Sequence, residues 1–467
     1  MKLLIPGIAG LCLLGSCTEK IPSKPNVLFI AVDDLRPELN CYGENHIYSP
    51  NIDRLANDGI IFSNAYCNIP VSGASRASLL TGLRPTRNRF LTYHTRVDEE
   101  ADNVPTLPEN FRMNGYYTVS NSKVFHHSDD GARSWDEVWL PQGKGSWRDY
   151  ITKENLLLDS IDIKLTPPFE RVDVPDNAYK DGKTADKTIA DLKRLSKTGQ
   201  PFFLAAGFLK PHLPFNAPDK YWKMYDPDKI MLPENDSKPE NAPDESMHNF
   251  GELRNYGMIP KEGPVSAEMA KMLIHGYYSC VSYTDAQIGK VLNALDELGL
   301  TENTIIILWG DHGWNLLEHG LWCKHSNYET SLHAPLIIRA PGIDGGKTNH
   351  SISEFIDIYP TLCELSGIEI PVHVEGESLI ERLQNPEKTE NDYAVSKYYN
   401  GTTLIEGDYF FTEWSSAEKP FISRMLYNHK SDPGENLNIS EMDEYLELSQ
   451  KMTEDLHEKW GADFERD

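Results

Sequence analysis

The chain has 467 residues, 39% of them hydrophobic and 10% aromatic, enough for one large α/β domain with a smaller companion. Its 45 basic and 71 acidic residues leave a formal net charge of −26, which argues against a nucleic-acid binder. An anionic substrate therefore needs a local basic island in an acidic surface.

Lys2 followed by the apolar residues 3–14 reads as a secretory leader, too short to span a bilayer. It ends in Leu14-Gly15-Ser16-Cys17, which resembles the bacterial lipobox. Residues 1–17 are then the leader and Cys17 the lipidated residue; an ordinary cleaved signal is the alternative. The location this implies is the cell envelope of a Gram-negative bacterium, lipid-anchored and facing the periplasm. Cys41, Cys67, Cys280, Cys323 and Cys363 remain, odd in number and without a CxxC. Buried free thiols are expected, with a single bridge left open.

Residues 26–32 (Asn-Val-Leu-Phe-Ile-Ala-Val) form the continuous apolar run of a strand buried on both faces. It runs into Asp33 and Asp34. Adjacent carboxylates at the end of a buried strand repel each other unless a cation sits there. A hard divalent metal is one solution, and a helix cap beside a solvated aspartate is the other. A helix from Ser49-Pro50-Asn51 to Ala56, closed by Gly59, leads to a short strand at 60–62. Next comes Val71-Ser72-Gly73-Ala74-Ser75-Arg76-Ala77-Ser78-Leu79-Leu80-Thr81-Gly82. Its small residues permit a sharp turn and a close backbone approach. Ser72 stands at a helix N-terminus, where free N–H groups and the helix dipole favour an anion. Taken alone, this stretch reads more often as an ordinary serine N-cap.

A helix at 106–114 and a strand at 116–120 precede Lys123 and His126, in Lys-Val-Phe-His-His. Residues 128–177 are polar, and little regular structure is expected there. A helix at 184–195 is followed by a buried strand at 201–208 that empties into Lys210-Pro211-His212. Residues 216–263, rich in Pro, Asp, Glu and Asn, read as a rim insertion of the kind that carries specificity. Residues 267–298 have the clearest helical periodicity, ended by Gly299. A core strand at 304–309 runs into Gly310-Asp311-His312-Gly313, followed by Glu318, His319, Lys324 and His325. A strand at 336–339 and a helix at 355–365 complete a main domain spanning 24–387. Alternating runs at 402–405 and 409–412, then a charged helix at 441–460, read as an α+β subdomain spanning 388–467.

Four buried strands thus deliver Asp33 and Asp34, Lys123 and His126, His212, and Asp311 and His312 just past their C-terminal ends. Open α/β sheets bind ligands at that edge. One histidine after a strand is commonly a structural hydrogen-bonder. Four strands converging on one rim point instead to a metal held by Asp33, Asp34, Asp311 and His312, with cations beside it.

These motifs resemble the type I sulfatases of the alkaline phosphatase superfamily. The signature of that family is Cys or Ser, any residue, Pro, any residue, Arg, then Leu-Thr-Gly. Here it reads Ser72-Gly73-Ala74-Ser75-Arg76, then Leu80-Thr81-Gly82, with alanine in place of proline. Asp33-Asp34 and Asp311-His312-Gly313 match the metal motifs. The similarity continues through Asp357-Ile358-Tyr359-Pro360-Thr361, Leu426-Tyr427 and Asp432-Pro433-Gly434-Glu435. Lys123-Val124-Phe125-His126, Lys210-Pro211-His212 and the run from Gly313-Trp314 to Lys324 are similar to the iduronate-2-sulfatase branch.

The resemblance implies a large, mostly parallel central sheet flanked by helices, with a smaller C-terminal subdomain. It implies hydrolysis of sulfate esters, in this branch the 2-O-sulfate of uronic acids in heparan-type or chondroitin/dermatan-type fragments; the branch also covers other sulfate esters. Ser72 is expected to become formylglycine through a serine-type maturing enzyme. One oxygen of the formylglycine hydrate attacks sulfur and the other expels sulfate. One divalent metal, calcium in most relatives, is expected at Asp33, Asp34, Ser72, Asp311 and His312. Arg76 is expected to steady the hydrate, and Lys123 and Lys324 to balance charge on the sulfate. His212 is assigned to protonate the leaving sugar oxygen, and His126 to take the proton that drives sulfate release. By position rather than by resemblance, Tyr93, His94 and Arg96, downstream of the Ser72 helix, are candidates to meet a uronate carboxylate, with a solvated loop as the alternative, and His127 and His325 are read as structural or substrate-edge. A phosphomonoesterase or phosphodiesterase using unmodified Ser72 and two metals needs a second His/Asp set that the strand ends do not supply. A glycan-binding lipoprotein without catalysis has no need of the full Asp, Ser, Arg, Lys and His set.

Overall fold

A computed structural model describes residues 24–143, 146–389, 393–416 and 418–460. The leader and Cys17 lie outside the described residues. Strand Asn26–Val32 is buried along its length and pairs in parallel with Phe202–Phe208 and Thr304–Gly310. Around it an eight-stranded sheet runs in the order Lys347–Glu354, Ile60–Tyr66, Leu336–Arg339, Thr304–Gly310, Asn26–Val32, Phe202–Phe208, Tyr117–Ser122, Glu137–Trp139. All neighbours are parallel except at Leu336–Arg339, which is antiparallel to both of its partners. The sheet is therefore the mostly parallel one expected.

Alternate side chains of Asn26–Val32 feed two cores, as a strand with period two must. Val27, Phe29 and Ala31 face one side, and Leu28, Ile30 and Val32 the other. The long helix Ala267–Glu297 starts at Ser266, whose side chain accepts from Met269 N–H. It packs Leu273, Ile274, Tyr277, Ile288 and Val291 into the second core. Tyr277 also braces the loop after the first strand: its hydroxyl donates to Asp34 O (2.8 Å) and accepts from Arg36 N–H (3.0 Å).

Four strands, Tyr393–Tyr398, Gly401–Glu406, Tyr409–Trp414 and Ser423–Asn428, form an antiparallel meander. Val395, Leu404, Phe411 and Leu426 on one face bury Met452, Leu456 and Trp460 of helix Leu446–Trp460. On the other face, Ala394, Ile405 and Phe410 join the main core.

The structure departs from expectation in three places. Residues 128–177 hold the edge strand Glu137–Trp139, helix Lys153–Ile161 and strand Phe169–Val172. That helix is fixed by local chemistry rather than periodicity: Thr152 caps Asn155 N–H, and Glu170 accepts from Ile151 N–H and Thr152 N–H. Strand Lys347–Glu354 was not anticipated, because its polar first half gives no apolar pattern. The last helix begins at Leu446 rather than at 441. Among the described residues, Cys41, Cys67, Cys280, Cys323 and Cys363 are free. No described helix is long and apolar enough to cross a membrane.

Candidate active site

The parallel register sets Val32 beside Phe208 and Gly310, so the residues after each strand meet at one edge. Asp33 N–H donates to Phe208 O (3.0 Å) and Asp311 N–H to Val32 O (3.1 Å). Asp34, in left-handed backbone geometry (φ 59°), donates its N–H to Asp311 Oδ1 (2.9 Å).

Ser72 is the first residue of helix Ser72–Thr81, and Val71 occupies the N-cap. The serine therefore does not cap the helix. Its Oγ stands 2.9 Å from His312 Nε2. Nδ1 of His312 donates to Gly313 O (2.9 Å), which fixes the ring with Nε2 toward Ser72. Gly73 permits this placement: a Cβ there would lie 2.8 Å from Tyr93 O. Gly207 does the same for Lys123, whose carbonyl would lie 2.0 Å from a Cβ.

Arg76 is fully buried and ties the strand ends together. Its Nη2 donates to Asp33 Oδ1 (3.0 Å), its Nε to Asp311 Oδ2 (3.0 Å), and its Nη1 to Lys123 O (2.7 Å) and Val124 O (3.0 Å). Lys123 Nζ also pairs with Asp33. Although burial opposes it, Lys123 and Arg76 hold the Asp33 carboxyl well below its ordinary range. Lys324 Nζ meets Asp34 Oδ1 (3.1 Å) and Glu252 Oε1 (3.0 Å). Burial pushes Asp34 up to about 7, with Lys324 opposing and Asp33 adding to the rise.

His212 donates from Nδ1 to Leu213 O (2.5 Å), and its Nε2 faces Glu252 Oε1 at 3.1 Å and Asp34 Oδ2 at 3.7 Å. Burial and Lys324 lower His212, while the Glu252 hydrogen bond acts the other way. His126 is pushed down to about 2 by burial and Lys123, so its ring is neutral, and its Nδ1 is buried without a hydrogen-bond partner.

The donor set fits a hard divalent cation. Ligand atoms of Asp34, Asp311 and His312 lie within 4.8 Å of one another, as do those of Asp33, Asp34 and His212. His312 Nε2 lies 3.5 Å from Asp34 Oδ1 and 3.6 Å from Asp311 Oδ1. Each group offers two carboxylates and one imidazole, donors that suit a hard cation.

All of this opens onto a cleft of about 1030 Å³ lined by Ser72, Lys123, His126, His127, His212, Lys324 and His325. Lys123, Lys324 and Arg76 gather at the site as expected, but each is paired with a buried carboxylate rather than forming a free basic patch. Tyr93 lines the cleft; His94 and Arg96 do not, and Arg96 is paired with Asp129 (3.0 Å). Sequence reasoning missed Glu252, which the insertion at 216–263 carries in among Lys324 and His212. It also missed Trp147 and Arg148, which line the same cleft. No periodicity or strand end marks these three.

The chain matches the Sulfatase family over residues 25–368. It matches the family described as N-sulphoglucosamine sulphohydrolase, C-terminal, over residues 317–461. It is 33% identical over 417 residues to iduronate 2-sulfatase of Homo sapiens, covering 79% of this chain and 76% of that one. A protein solved with its substrate D-glucosamine-2-N,6-O-disulfate superposes with a TM-score of 0.77 at 24% identity, covering 95% of this chain and 99% of that one. A 2-O GAG sulfatase superposes with a TM-score of 0.72 at 23% identity, covering 95% and 93%. At these identities the two solved structures establish the shared fold.

Proposed function

The chain belongs to the type I, formylglycine-dependent sulfatase family, and from that premise we propose that it removes the 2-O-sulfate from uronic acid residues of glycosaminoglycan fragments. The observation that carries the reaction is the setting of Ser72: at a helix N-terminus, 2.9 Å from His312, which itself faces Asp34 and Asp311, in a cleft that Lys123 and Lys324 also line. The uronate reading is supported by the similarity to iduronate 2-sulfatase across most of the chain.

Matured to formylglycine, Ser72 supplies a hydrated aldehyde as nucleophile; a divalent cation bound here, by our reading calcium, would supply the positive charge that acidifies the attacking hydroxyl. Asp33, Asp34, Asp311 and His312 would hold that cation. The N-terminus of helix Ser72–Thr81 presents free N–H groups to the sulfate. Lys123 and Lys324 offset the charge that develops on the transferring group. His212 has one nitrogen committed to Leu213 O, so Nε2 is the atom that delivers a proton to the leaving sugar oxygen, with Glu252 stabilising the protonated ring. His126, neutral beside Lys123, accepts the proton whose removal releases sulfate. We further assign residues 24–387 to the catalytic domain and 388–467 to the C-terminal subdomain. Lipidation at Cys17, placing the enzyme at the periplasmic face of a Gram-negative envelope, belongs to the same proposal, as does a serine-type maturing enzyme as partner.

The test is sulfate release by the full chain, produced with a serine-type maturing enzyme and supplied with calcium. A disaccharide bearing a non-reducing uronic acid 2-O-sulfate should be desulfated, and a glucosamine 6-O-sulfate should not. The opposite preference overturns the uronate assignment and leaves the family intact.

A further inference from the structure

Arg148 is 3% exposed, and its Nε and Nη1 are buried without a hydrogen-bond partner. No ion pair joins it to a carboxylate among the described residues. Its neighbour Asp149 is occupied elsewhere, accepting from Lys180 N–H (2.7 Å). A buried guanidinium without a carboxylate partner is costly, and here aromatic faces offset only part of that cost. The group is also held in place. Its Cζ lies 5.0 Å from the Trp147 ring centroid and 4.8 Å from that of Tyr256, and all three residues line the active-site cleft.

Trp147 connects this group to the chemistry. Its half-exposed indole meets the His212 ring edge-on, with centroids 5.3 Å apart. One indole thus touches both the residue assigned to protonate the leaving oxygen and the unpaired guanidinium. His212 and Arg148 therefore both border the space beside Trp147 in the one cleft.

We propose that Arg148 receives a second oxyanion of the substrate, the carboxylate of the uronic acid whose sulfate is cleaved, with Trp147 as the wall along which the ring lies. The planar guanidinium matches a carboxylate in two parallel hydrogen bonds, which lysine cannot reproduce. This rests on the uronate reading above. It makes Arg148 a specificity residue that touches substrate away from the reacting atoms.

The experiment compares the matured wild type with Arg148→Gln and Arg148→Lys on three substrates: a uronate 2-O-sulfate disaccharide, its carboxyl-reduced analogue, and 4-nitrocatechol sulfate. Losing a hydrogen bond to a charged group corresponds to roughly a 10- to 100-fold effect. Arg148→Gln should lose that factor in kcat/KM on the uronate, mostly through KM, and be unchanged on the aryl sulfate. Wild type should lose the same factor on the carboxyl-reduced sugar, a result that needs no variant to fold. Equal losses on all three substrates, or full activity on the uronate, overturn the proposal. Sensitivity that follows an N-sulfate on the neighbouring sugar rather than the carboxylate also overturns it. A wild type active on the aryl sulfate and inert on the uronate instead sinks the uronate reading, and this proposal with it.

Discussion

Ser72 Oγ and His312 Nε2 stand 2.9 Å apart although 240 residues separate them in the chain. The helix start and the strand end that carry them converge because one sheet edge holds both. Ser72→Ala removes the residue to be matured while costing the fold one hydrogen bond, roughly 0.5–1.5 kcal/mol. Sulfate release should fall to background and the melting temperature should barely move. In the wild-type chain, mass spectrometry of the tryptic fragment spanning residues 55–76 should show the loss of two hydrogens from Ser72. An active preparation carrying intact serine would sink the formylglycine mechanism.

Arg76→Met leaves Asp33 and Asp311 without the guanidinium that joins them. Breaking a buried pair in this way typically costs about 3–5 kcal/mol. Chemical denaturation at neutral pH reads the loss directly. A change below about 1 kcal/mol would show that the carboxylates do not depend on Arg76.

Chelation should abolish turnover and lower the melting temperature together, because a cation that binds only the folded chain stabilises it. At a hundred times its Kd a ligand contributes about 2.7 kcal/mol. Calcium should restore both properties. Asp311→Asn should remove the calcium response of the melting temperature, a readout independent of activity. A wild-type melting curve indifferent to chelator argues against the cation.

Glu252→Gln tests the pairing with His212. The carboxylate favours the protonated ring, so its loss makes His212 give up its proton more readily. A general acid must be protonated to work. The alkaline limb of the kcat profile should therefore shift to lower pH, with kcat at low pH retained. A uniform fall at every pH would mean that Glu252 is only a packing residue.

His248 is half-buried, its ring centroid 6.3 Å from that of His325, and burial pushes it down to about 4. Its Nδ1 accepts from Phe250 N–H (2.9 Å), which only a neutral ring does. Unfolded, it titrates near about 6.5. Between those values the unfolded chain holds a proton that the folded chain lacks, so this residue makes stability rise with pH, by up to about 1.4 kcal/mol per unit. Asp181, Asp285 and Asp357, each raised to about 7 by burial, act in the opposite direction, so a single-site comparison is needed. His248→Asn should lose less stability than wild type between pH 7 and pH 5. Parallel curves would refute the buried neutral ring.

Where the chain buries a strand on both faces, its element is legible. Residues 26–32 and 304–309 were readable to within a residue, because a run without polar side chains has no other place to go. Glu137–Trp139 and Lys347–Glu354 were not, since edge strands alternate weakly and take their pairing from a neighbour. Arg96 illustrates the limit at the site. As a basic residue downstream of Ser72 it resembled a substrate contact, yet Asp129 occupies it, and only the folded chain brings Asp129 near.

By itself the sequence determined which strands are central and which carboxylates, lysines and histidines follow them. Parallel strands share a direction, so their C-terminal residues gather at one edge whatever the loops do. Tertiary structure alone decided the rest: that Arg76 locks Asp33 to Asp311, that Glu252 enters from an irregular insertion, and that Arg148 lies buried and unpaired against Trp147. Those positions follow from what long loops pack against, and no local periodicity encodes that.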